Sequence, residues 1–459
     1  MSHSAQISLA RLEEIVGAAH VLTAPEALAL RQVDGILPSA VVQPADAAQI
    51  AEVLRFADAE KLAVIPCGGC TKLGIGSPPS RYDIALDLLR MNRVLAYDPQ
   101  DLTLGVEPGM RIADLLRVLA EQKQFLPLVV SFLERATIGG IVAANSSSPL
   151  RQAYGGVRDF CLGMEFVTGE GMPAKSGGRV VKNVTGYDLH KLLIGSLGTL
   201  GVITRVNFRT FPLLPAQRTF VAGFSNAEAA FRFCGAITQS PLSPQMVEIA
   251  NPGAADVIFS GDARARVEPR SWSVIVSAAG HPEVVDRYAR ELGGMAVAAG
   301  AEELAPLGDS EAPDILARIR EFTRLILDAV PSAAIFRIGV LPTAMAGLLG
   351  ELHALAAQGS VDMVALTRAS GILYAALLPK EGDAPATASL TKAVQEVFRV
   401  CGKSEINASP MLERCPPEVK LAAGGVWGAP RPDFALMRRV KNSFDPNGVL
   451  SPGRFAGGL

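Results

Sequence analysis

The sequence predicts an α+β protein with two domains, and three observations lead to this fold class. Helix-like and strand-like segments alternate through the first part of the 459-residue chain, which is typical of a mixed helix and sheet domain. Glycines are dense between residues 137 and 212, as in TIGGIVAANSSS and IGSLGTLGVITRV. From 215 to 405 glycine clusters are rare. We therefore expect a first domain over 1–214, a second over 215–405, and a separate C-terminal segment over 406–459.

The elements of the first domain follow from residue patterns in chain order. An amphipathic helix and a connector are expected over 1–35. Asp46 can cap the next helix, whose apolar face contains Ile50, Val53, Leu54 and Ala57. Apolar runs predict three short strands at LAVIP (62–66), YDIALDL (82–88) and DLTLGVEPG (101–109). Residues 112–119 are predicted to form a further helix.

The second domain shows ordinary strand and helix patterns. Runs such as WSVIVSAAG (272–280) and ILYAALL (372–378) indicate strands, and AMAGLLGELHALA indicates a helix. We expect both strands and helices in this domain.

Composition restricts the class of protein. Hydrophobic residues make up 49% of the chain and charged residues 19%, with a formal net charge of −2. The chain is therefore globular rather than disordered, and it has no basic segment typical of nucleic-acid binding. The start of the chain lacks the pattern of a signal peptide, and no uncharged apolar run reaches membrane-spanning length. We expect a cytoplasmic protein that reaches the inner face of a membrane only through partners.

Cysteine usage points to a reduced compartment. The cysteines are too scattered for a disulfide scaffold or a cysteine-ligated iron–sulfur cluster: Cys67, Cys70, Cys161, Cys234, Cys401 and Cys415. Histidines are equally scattered, and we expect no bound metal.

The stretch IPCGGCTKLGIG (65–76) contains Cys67 and Cys70 at C-x-x-C spacing, and three interpretations compete. A thioredoxin-like pair would begin a helix, which lowers the thiol pKa, whereas Thr-Lys-Leu-Gly follows here. A zinc site needs two more ligands, and the sequence has no second C-x-x-C. A glycine loop that lets backbone N–H groups approach a diphosphate fits best, although it matches neither G-x-x-x-x-G-K-[ST] nor G-x-G-x-x-G.

Together, the glycine-rich segments resemble the FAD-binding domain of the vanillyl-alcohol-oxidase/p-cresol-methylhydroxylase (PCMH) family. The C-x-x-C loop is similar to the family's pyrophosphate loop, and 137–171, with YGGVRDF, to its second phosphate-binding segment. KNVTGYD and GSLGTLGVIT within 180–212, and FDPNGVLSPGRF (444–455), are similar to its later segments. Their spacing resembles the FAD-binding E subunit of bacterial glycolate oxidase. The resemblance covers about 36–212 and 406–459.

The resemblance implies a PCMH-type two-lobed FAD-binding domain and an α/β cap domain made of an antiparallel sheet with helices. It also implies that the C-terminal segment, 406–459, returns to the FAD-binding domain, and that FAD is the cofactor. The residues that it implies for FAD fall into four groups, for the pyrophosphate, the phosphate and ribityl region, the flavin pocket, and the flavin and adenine side. They are Cys67, Gly68, Gly69, Cys70 and Thr71; Thr137, Gly139 and Gly140; Asn145, Gly155, Gly156 and Arg158; and Gly195, Thr199, Gly201 and Ile203.

The sequence departs from the family at three points. Cys70 stands where a small residue or Gly is common, and flavin is covalently attached at this position in some flavoenzymes, so a covalent bond through Cys70 is a fourth interpretation of the loop. Ser451 stands where Asn is usual. The His-rich metal site that related D-2-hydroxyacid dehydrogenases use to hold the substrate carboxylate is absent from the sequence.

The resemblance implies an FAD-linked oxidoreductase acting on a CH–OH group. It further implies a small 2-hydroxy acid substrate of the glycolate or D-lactate type, and electron transfer to an iron–sulfur partner or a quinone. The expected partners are a second flavin subunit and an iron–sulfur subunit. Two alternatives remain: an FAD-binding electron-transfer or structural subunit, and an NADPH-dependent reductase of an enolpyruvyl sugar. The oxidase-like motifs and the length argue against the reductase.

The candidate catalytic residues are Arg337, His190 and Tyr374. Arg337 lies in an apolar strand-like run and needs an anionic partner, either a substrate carboxylate or a structural one. His190 lies either near the flavin or in ordinary packing. Tyr374 and Trp427 either form walls of the flavin site or fill the core. Four polar residues close together in the sequence either line the flavin pocket, as the resemblance favours, or stabilise a loop through hydrogen bonds: Lys182, Asn183, Tyr187 and Asp188.

Overall fold

The computed structural model describes residues 8–179, 186–262, 271–301, 303–359, 361–380, 386–429 and 432–459. The chain forms two compact units. The first unit comprises Met1–Ser146, Gly156–Pro212 and Pro430–Leu459. The second comprises Ser147–Gly155 and Leu213–Ala429.

The fold is the α+β class that the sequence predicts. The strands of the first unit are β1 (Val21–Leu22), β2 (Ala40–Val42), β3 (Val64–Cys67), β4 (Ile84–Asp87), β5 (Val94–Asp98), β6 (Thr103–Val106), β7 (Gln124–Phe125), β8 (Cys161–Val167), β9 (Pro173–Gly177), β10 (Val202–Arg209) and β11 (Phe211–Pro212). Those of the second unit are β12 (Ala216–Phe224), β13 (Met246–Ala250), β14 (Trp272–Gly280), β15 (Glu303–Pro306), β16 (Ala334–Gly339), β17 (Val361–Arg368), β18 (Ile372–Pro379) and β19 (Ser409–Arg414).

Helices surround these strands. Within the described ranges they are α1 (Leu9–Val16), α2 (Pro25–Ala29), α3 (Ala47–Ala59), α4 (Ile112–Glu121), α5 (Ile138–Ala143), α6 (Arg151–Tyr154), α7 (Val157–Phe160), α8 (His190–Leu193), α9 (Ala227–Gln239), α10 (Pro252–Ser260), α11 (Pro282–Ala299), α12 (Ala312–Arg320), α13 (Phe322–Ala329), α14 (Met345–Gln358), α15 (Ala386–Cys401), α16 (Pro417–Ala422) and α17 (Phe434–Phe444). Among the residues searched, no helix combines the length and the apolar character needed to cross a bilayer.

The first unit contains a four-stranded sheet in the order β1-β2-β4-β3. Strands β2, β4 and β3 are parallel, and β1 pairs antiparallel to β2. Helix α3 begins where the Asp46 side chain accepts a hydrogen bond from the Gln49 N–H at 2.9 Å, as an N-cap does. It buries Ile50 and Leu54 in one cluster with Leu86 of β4. This burial contributes about 1.5–3 kcal/mol for each side chain and fixes the helix against the sheet.

A five-stranded antiparallel sheet follows in the order β5-β6-β10-β8-β9. Helix α4 places Ile112, Leu115 and Leu119 on one apolar face, at the spacing of an amphipathic helix. These side chains share a core with Phe166 of β8 and Phe208 of β10. The two sheets of the first unit thus each have their own apolar core.

The second unit is built on an eight-stranded antiparallel sheet in the order β15-β12-β14-β13-β17-β18-β16-β19. Side chains alternate between its faces, as in any strand. Val274 and Val276 lie in one core cluster, while Ile275 between them lies in another. The sheet therefore has helices on both faces, which agrees with the expected antiparallel sheet with helices.

The C-terminal segment that the sequence predicts to return to the first domain divides at residue 430. Residues 406–429 stay in the second unit, because β19 pairs with β16 at the edge of the large sheet. The last residues lie beside β3, where Ser451 N donates to the Val64 carbonyl at 2.9 Å.

The short segment 147–155 also differs from the expected continuous first domain, since it belongs to the second unit. Two side-chain hydrogen bonds hold it there. Arg368 Nη1 donates to Ser147 Oγ at 2.6 Å, and Gln245 Nε2 donates to the Tyr154 hydroxyl at 2.8 Å.

Candidate functional site

A cleft of about 770 Å³ lies in the first unit, where the parallel strands β3 and β4 end. The carboxyl ends of parallel strands are a common place for ligands in α/β sheets. The Leu88 N–H donates to the Cys67 carbonyl at 2.9 Å, so the two strand ends are joined at the base of the cleft. The described residues that line it are Ile65, Pro66, Cys67, Gly68, Gly69, Cys70, Thr71, Lys72, Leu73, Leu88, Pro108, Thr137, Gly139, Gly140, Ala143, Ala144, Leu197, Gly198, Gly201, Ile203 and Arg454.

The glycines of the cleft are positions where no side chain fits. A Cβ on Gly68 would lie 2.4 Å from Thr137 Oγ1, and a Cβ on Gly69 would lie 1.8 Å from the Arg135 carbonyl oxygen. A Cβ on Gly139 would lie 2.7 Å from Pro108 Cβ. The glycine loop (67–71) and the segment 135–140 therefore pack directly against each other. We call these two segments the cradle, because few side chains stand between their backbone and a ligand in the cleft.

Cys67 and Cys70 both line the cradle. Cys67 ends β3 and is buried, whereas Cys70 is half-buried. Cys70 has a φ of 55°, a left-handed conformation that non-glycine residues rarely adopt. Its thiol donates to the Gly68 carbonyl, with 3.3 Å between sulfur and oxygen.

The two thiols differ in acidity. The neighbouring Cys67 thiol lowers the pKa of Cys70, and the cations Arg31 and Arg135 act in the same direction. The neighbouring Cys70 thiol, followed by burial, raises the pKa of Cys67 well above its ordinary value. Cys70 is therefore the more acidic of the two thiols.

A buried ion pair lies close to the cradle. Arg31 Nη2 donates to Asp87 Oδ2 at 2.6 Å, and the Asp87 side chain has no exposed surface. Tyr82 donates its hydroxyl proton to the Arg31 carbonyl at 2.8 Å. Burial raises the pKa of Tyr82, so the tyrosine is a neutral donor. The sequence analysis did not identify this group, because its members are separated along the chain.

Two cations face the cleft, and among the described lining residues none is acidic. Lys72 follows the glycine loop directly. Arg454 comes from the C-terminal SPGR segment, and its Nη2 donates to the Leu73 carbonyl at 2.6 Å and to the Ile75 carbonyl. The sequence analysis compared this segment with the family's closing element but assigned no role to its arginine. The balance of charge suits a ligand with anionic phosphates.

Many of the predicted cofactor residues meet in this cleft. Those that line it are Cys67, Gly68, Gly69, Cys70, Thr71, Thr137, Gly139, Gly140, Gly201 and Ile203. The other predicted residues do not line the cleft. Gly195 has a φ of 86°, and a Cβ added to it would lie 3.2 Å from the Cβ of Asn145. Thr199 Oγ1 donates to the Ser196 carbonyl at 2.8 Å.

The YGGVRD turn is divided by the fold. Gly155 belongs to the second unit and Gly156 to the first. The Gly156 N–H donates to Asp159 Oδ2 at 2.7 Å, which caps α7. Arg158 is exposed, and its Nη1 donates to the Lys191 carbonyl at 3.2 Å.

His190 is buried in the first unit and does not appear among the cleft residues. Its Nδ1 lies 3.0 Å from Ser176 Oγ, and burial lowers its pKa, so the ring is neutral. Tyr187 is 88% exposed, and Asp188 pairs with Lys191 at 2.9 Å. Lys182 and Asn183 lie outside the described residues.

The other candidate catalytic residues lie in the second unit, in a row of polar side chains across five adjacent strands. We call these residues the polar row: Glu248 (β13), Arg368 (β17), Tyr374 (β18), Arg337 (β16) and Glu413 (β19). Glu248 pairs in register with Arg368, and Tyr374 with Arg337. Partners in register point to the same side of a sheet, so these groups share one face.

Each end of the polar row is an arginine–glutamate pair. Arg337 Nε lies 2.9 Å from Glu413 Oε1, which gives Arg337 a structural carboxylate. Arg368 Nε lies 3.1 Å from Glu248 Oε1, and its guanidinium carbon stands 4.9 Å from the centre of the Tyr374 ring. Neither Arg368 nor Glu248 was expected from the sequence, although Glu248 is the one charged residue of the apolar strand β13 and Arg368 ends β17.

Glu248 differs from Glu413 in its surroundings. Its side chain has no exposed surface, and Oε2 is buried without a hydrogen-bond partner. Burial raises its pKa to about 7, against the opposing effect of Arg368. Burial also raises the pKa of Tyr374, so its phenol stays neutral. Trp427, the other aromatic candidate, packs against the core of the second unit.

In the part of the chain that the structure describes, no group of three or more His, Cys, Asp or Glu side chains is arranged to hold a metal ion.

Sequence comparison identifies two family regions in the chain. The family described as "FAD binding domain" matches residues 38–176. The family described as "FAD linked oxidases, C-terminal domain" matches residues 213–404 and 429–455. The first region contains the cradle, and the second contains the polar row and Arg454.

Two curated relatives and one solved structure show similar proteins. The chain is 25% identical over 432 residues to "Glycolate oxidase subunit GlcD" of Bacillus subtilis (strain 168), covering 91% of this chain and 89% of that protein. It is 35% identical over 162 residues to "Glycolate oxidase subunit GlcE" of Escherichia coli (strain K12), covering 35% and 46%. A structure of p-cresol methylhydroxylase with substrate bound superposes with a TM-score of 0.78 at 18% identity, covering 97% of this chain and 95% of that one, which shows the shared fold.

The cleft fits FAD. Its glycines let the backbone come into contact with a diphosphate, and its two cations balance phosphate charge. The cofactor is therefore FAD, held by the first unit. With both family regions present, the chain belongs to the FAD-linked oxidoreductases of the vanillyl-alcohol-oxidase/p-cresol-methylhydroxylase type, and it acts on a CH–OH donor.

Proposed function

We propose that this enzyme oxidises a small 2-hydroxy acid of the glycolate or D-lactate type, and that it passes the electrons to an iron–sulfur partner or a quinone. The polar row carries this proposal, because arginine is the preferred side chain for binding a carboxylate and the row contains two. Similarity to two glycolate oxidase subunits supports the substrate class.

In this proposal Arg368, supported by Arg337, binds the substrate carboxylate, and Tyr374 holds the Arg368 guanidinium in place through its ring. Glu248 accepts the proton of the substrate hydroxyl at its unpartnered Oε2. A carboxyl group with a pKa of about 7 is well suited to accept a proton near neutral pH. FAD, when bound, supplies the two-electron acceptor for the hydride of the substrate carbon.

The cradle has a separate role in the proposed reaction. Its backbone and the cations Lys72 and Arg454 bind the diphosphate of the cofactor and set its position. Loss of the cradle removes the cofactor, whereas loss of a polar-row side chain leaves the cofactor bound and affects substrate turnover. The two sets of residues can therefore be tested independently.

A second candidate is an FAD-binding electron-transfer or structural subunit without substrate chemistry of its own. The observation that favours it is that both arginines of the polar row already contact a carboxylate, at 2.9 Å and 3.1 Å. Under this alternative the row is a structural network of ion pairs, and a partner subunit carries out the oxidation. The proposed partners in either case are a second flavin subunit and an iron–sulfur subunit, as the similarity to glycolate oxidase subunits suggests.

The test is anaerobic reduction of the purified holoprotein by glycolate or D-lactate, followed through the flavin absorbance band. We expect bleaching with one of these acids, slowed in Glu248→Gln, and recovery of the band when an artificial electron acceptor is added. Bound flavin that no 2-hydroxy acid bleaches would contradict the proposal and favour the second candidate. Chemical reduction with dithionite is the control that the flavin itself is competent.

A further inference from the structure

We propose that Cys67 and Cys70 are a dithiol that a small-molecule disulfide, such as oxidised glutathione, converts to an intrachain disulfide, and that this bond weakens FAD binding in the cradle. The inference depends only on the cofactor site in the first unit. It is independent of the substrate proposed above.

The first support is the backbone conformation at Cys70. A left-handed φ of 55° is unfavourable for a residue with a Cβ and costs nothing for glycine. The two residues before Cys70 are glycines, which adopt such a conformation without strain. Position 70 itself nevertheless carries a cysteine. Non-glycine residues held in this region are concentrated at functional sites, and here the conformation turns the Cys70 thiol back toward the start of the loop.

The second support is the position of the two cysteines in the loop. The Cys70 thiol donates to the carbonyl of Gly68, the residue that follows Cys67, with 3.3 Å between sulfur and oxygen. Both cysteines line the cleft and belong to the same small packed cluster with Ile65 and Tyr82. Among the six free cysteines, this pair combines C-x-x-C spacing with a shared place in the cleft.

The two thiols have different roles in the exchange reaction. Cys70 lines the cleft and is half-buried, so an incoming disulfide reaches it first. Cys67 is buried and reacts second. The lowered pKa of Cys70 and the raised pKa of Cys67 agree with this order, because the thiolate is the attacking species.

The chemistry balances without any further oxidant. The Cys70 thiolate attacks one sulfur of oxidised glutathione, forms a mixed disulfide and releases one glutathione thiolate. Cys67 then loses its proton to solvent, its sulfur attacks the Cys70 sulfur, and the second glutathione thiolate leaves. Two protein thiols and one glutathione disulfide thus become one protein disulfide and two glutathione thiols after protonation.

Oxidation affects the cofactor site through the two residues that the disulfide encloses, Gly68 and Gly69. A disulfide sulfur has no proton, so the contact that the Cys70 thiol donates to the Gly68 carbonyl is lost. The new bond also imposes its own separation on the two cysteine Cβ atoms. Phosphate binding by backbone N–H groups depends on their direction, so we expect this change in loop geometry to weaken FAD binding.

The experiment uses the full chain with FAD bound, treated with oxidised glutathione and compared with an untreated sample. Mass spectrometry of the intact protein and of its peptides reports the thiols, and flavin fluorescence reports FAD release. We expect a mass lower by two hydrogen atoms, a peptide linking Cys67 to Cys70, and an FAD dissociation constant raised about tenfold or more, within the range of coupled binding sites. Dithiothreitol should reverse all three changes.

Two variants make the result specific. Cys67→Ser should stop at the mixed disulfide, with a mass higher by one bound glutathione at Cys70. Cys161→Ser is the matched control, since Cys161 is buried in the same unit and burial raises its pKa to about 12, and it should behave like the natural sequence. Three results with the natural sequence would each overturn the proposal. They are the persistence of all six thiols, a stable glutathione adduct on the protein, and a Cys67–Cys70 disulfide that leaves FAD affinity unchanged.

Discussion

The backbone of Gly69 lies directly against that of Arg135, so that a Cβ added to Gly69 would stand 1.8 Å from the Arg135 carbonyl oxygen. Real Cβ atoms do not approach an oxygen so closely, and a carbonyl cannot move aside as a flexible side chain can. The glycine loop after β3 and the segment before α5 are therefore held together at this point, and their contact fixes the shape of the cradle.

We predict that Gly69→Ala reduces FAD affinity at least about tenfold, because the loop must move away from Arg135 and its backbone donors leave the phosphate. The measurement is flavin content after purification and the dissociation constant by fluorescence quenching. Gly178→Ala is the matched control, since an added Cβ there meets nothing within 4 Å, and it should bind FAD normally. Equal affinity in the two variants would show that the contact does not shape the site.

Local signals predict the elements around the cradle well. The sequence predicts the N-cap at Asp46 and the four apolar positions of α3, and the structure has both. The strand predicted at LAVIP appears one to two residues later, as Val64–Cys67. These features depend on residues a few positions apart, so capping and periodicity are enough to predict them.

The missed features depend on contacts between distant parts of the chain. Arg454 holds the Leu73 carbonyl although 381 positions separate them, and no local pattern connects them. The polar row requires the strand order β13-β17-β18-β16-β19, which is not the order along the chain. Arg368 and Glu248 are 120 positions apart. Without the sheet order, nothing in either strand connects one residue to the other.

A second prediction concerns Lys441, a buried lysine of α17. Its Nζ donates to the carbonyls of Thr199 at 2.7 Å and Leu450 at 2.9 Å, and it pairs with Asp445. Lys441→Met leaves these groups buried and the Asp445 charge uncompensated, so we expect a loss of about 3–5 kcal/mol in the free energy of unfolding. The measurement is urea denaturation followed by circular dichroism.

Lys403→Met is the control for this experiment. Lys403 pairs with Glu351 at 2.7 Å, but 28% and 43% of the two side chains are exposed. Exposed ion pairs contribute little, so the control should lose less than about 1 kcal/mol. Similar losses in the two variants would mean that the Lys441 network does not stabilise the first unit.

A third prediction concerns pH and stability through Glu248. Its pKa is about 7 in the folded protein, against 4.5 ordinarily. Between these values the folded state retains a proton that the unfolded chain has released, so stability must fall as pH rises through this window. Glu248→Gln removes the titration, and we expect its unfolding midpoint to fall less between pH 4.5 and pH 7 than that of the natural sequence.

Glu413→Gln tests whether this slope belongs to Glu248. Glu413 also pairs with an arginine of the polar row, at 2.9 Å, but both side chains of that pair are partly exposed. The Glu413→Gln variant should keep the decline with pH that Glu248→Gln loses. If the two variants give the same slope, the titration lies in another group.

The last prediction separates the two arginines of the polar row. Arg368 contacts Glu248 and Ser147 with different nitrogens and lies over Tyr374. Lysine carries the same charge but lacks the planar fork that makes such contacts at once. We therefore expect Arg368→Lys to raise KM for the 2-hydroxy acid about tenfold or more, with FAD affinity unchanged. Steady-state kinetics with an artificial acceptor measures both parameters, and flavin titration checks the cofactor.

Arg337→Lys is the matched variant on the neighbouring strand. Its partner Glu413 is partly exposed, and lysine can keep a single contact to that carboxylate, so KM should rise less than in Arg368→Lys. Because the folded protein loses no charge in either variant, a difference between them reports on carboxylate binding rather than on net charge. A KM unchanged in Arg368→Lys, with FAD still bound and turnover intact, would remove this arginine from substrate binding and leave it as a structural partner of Glu248.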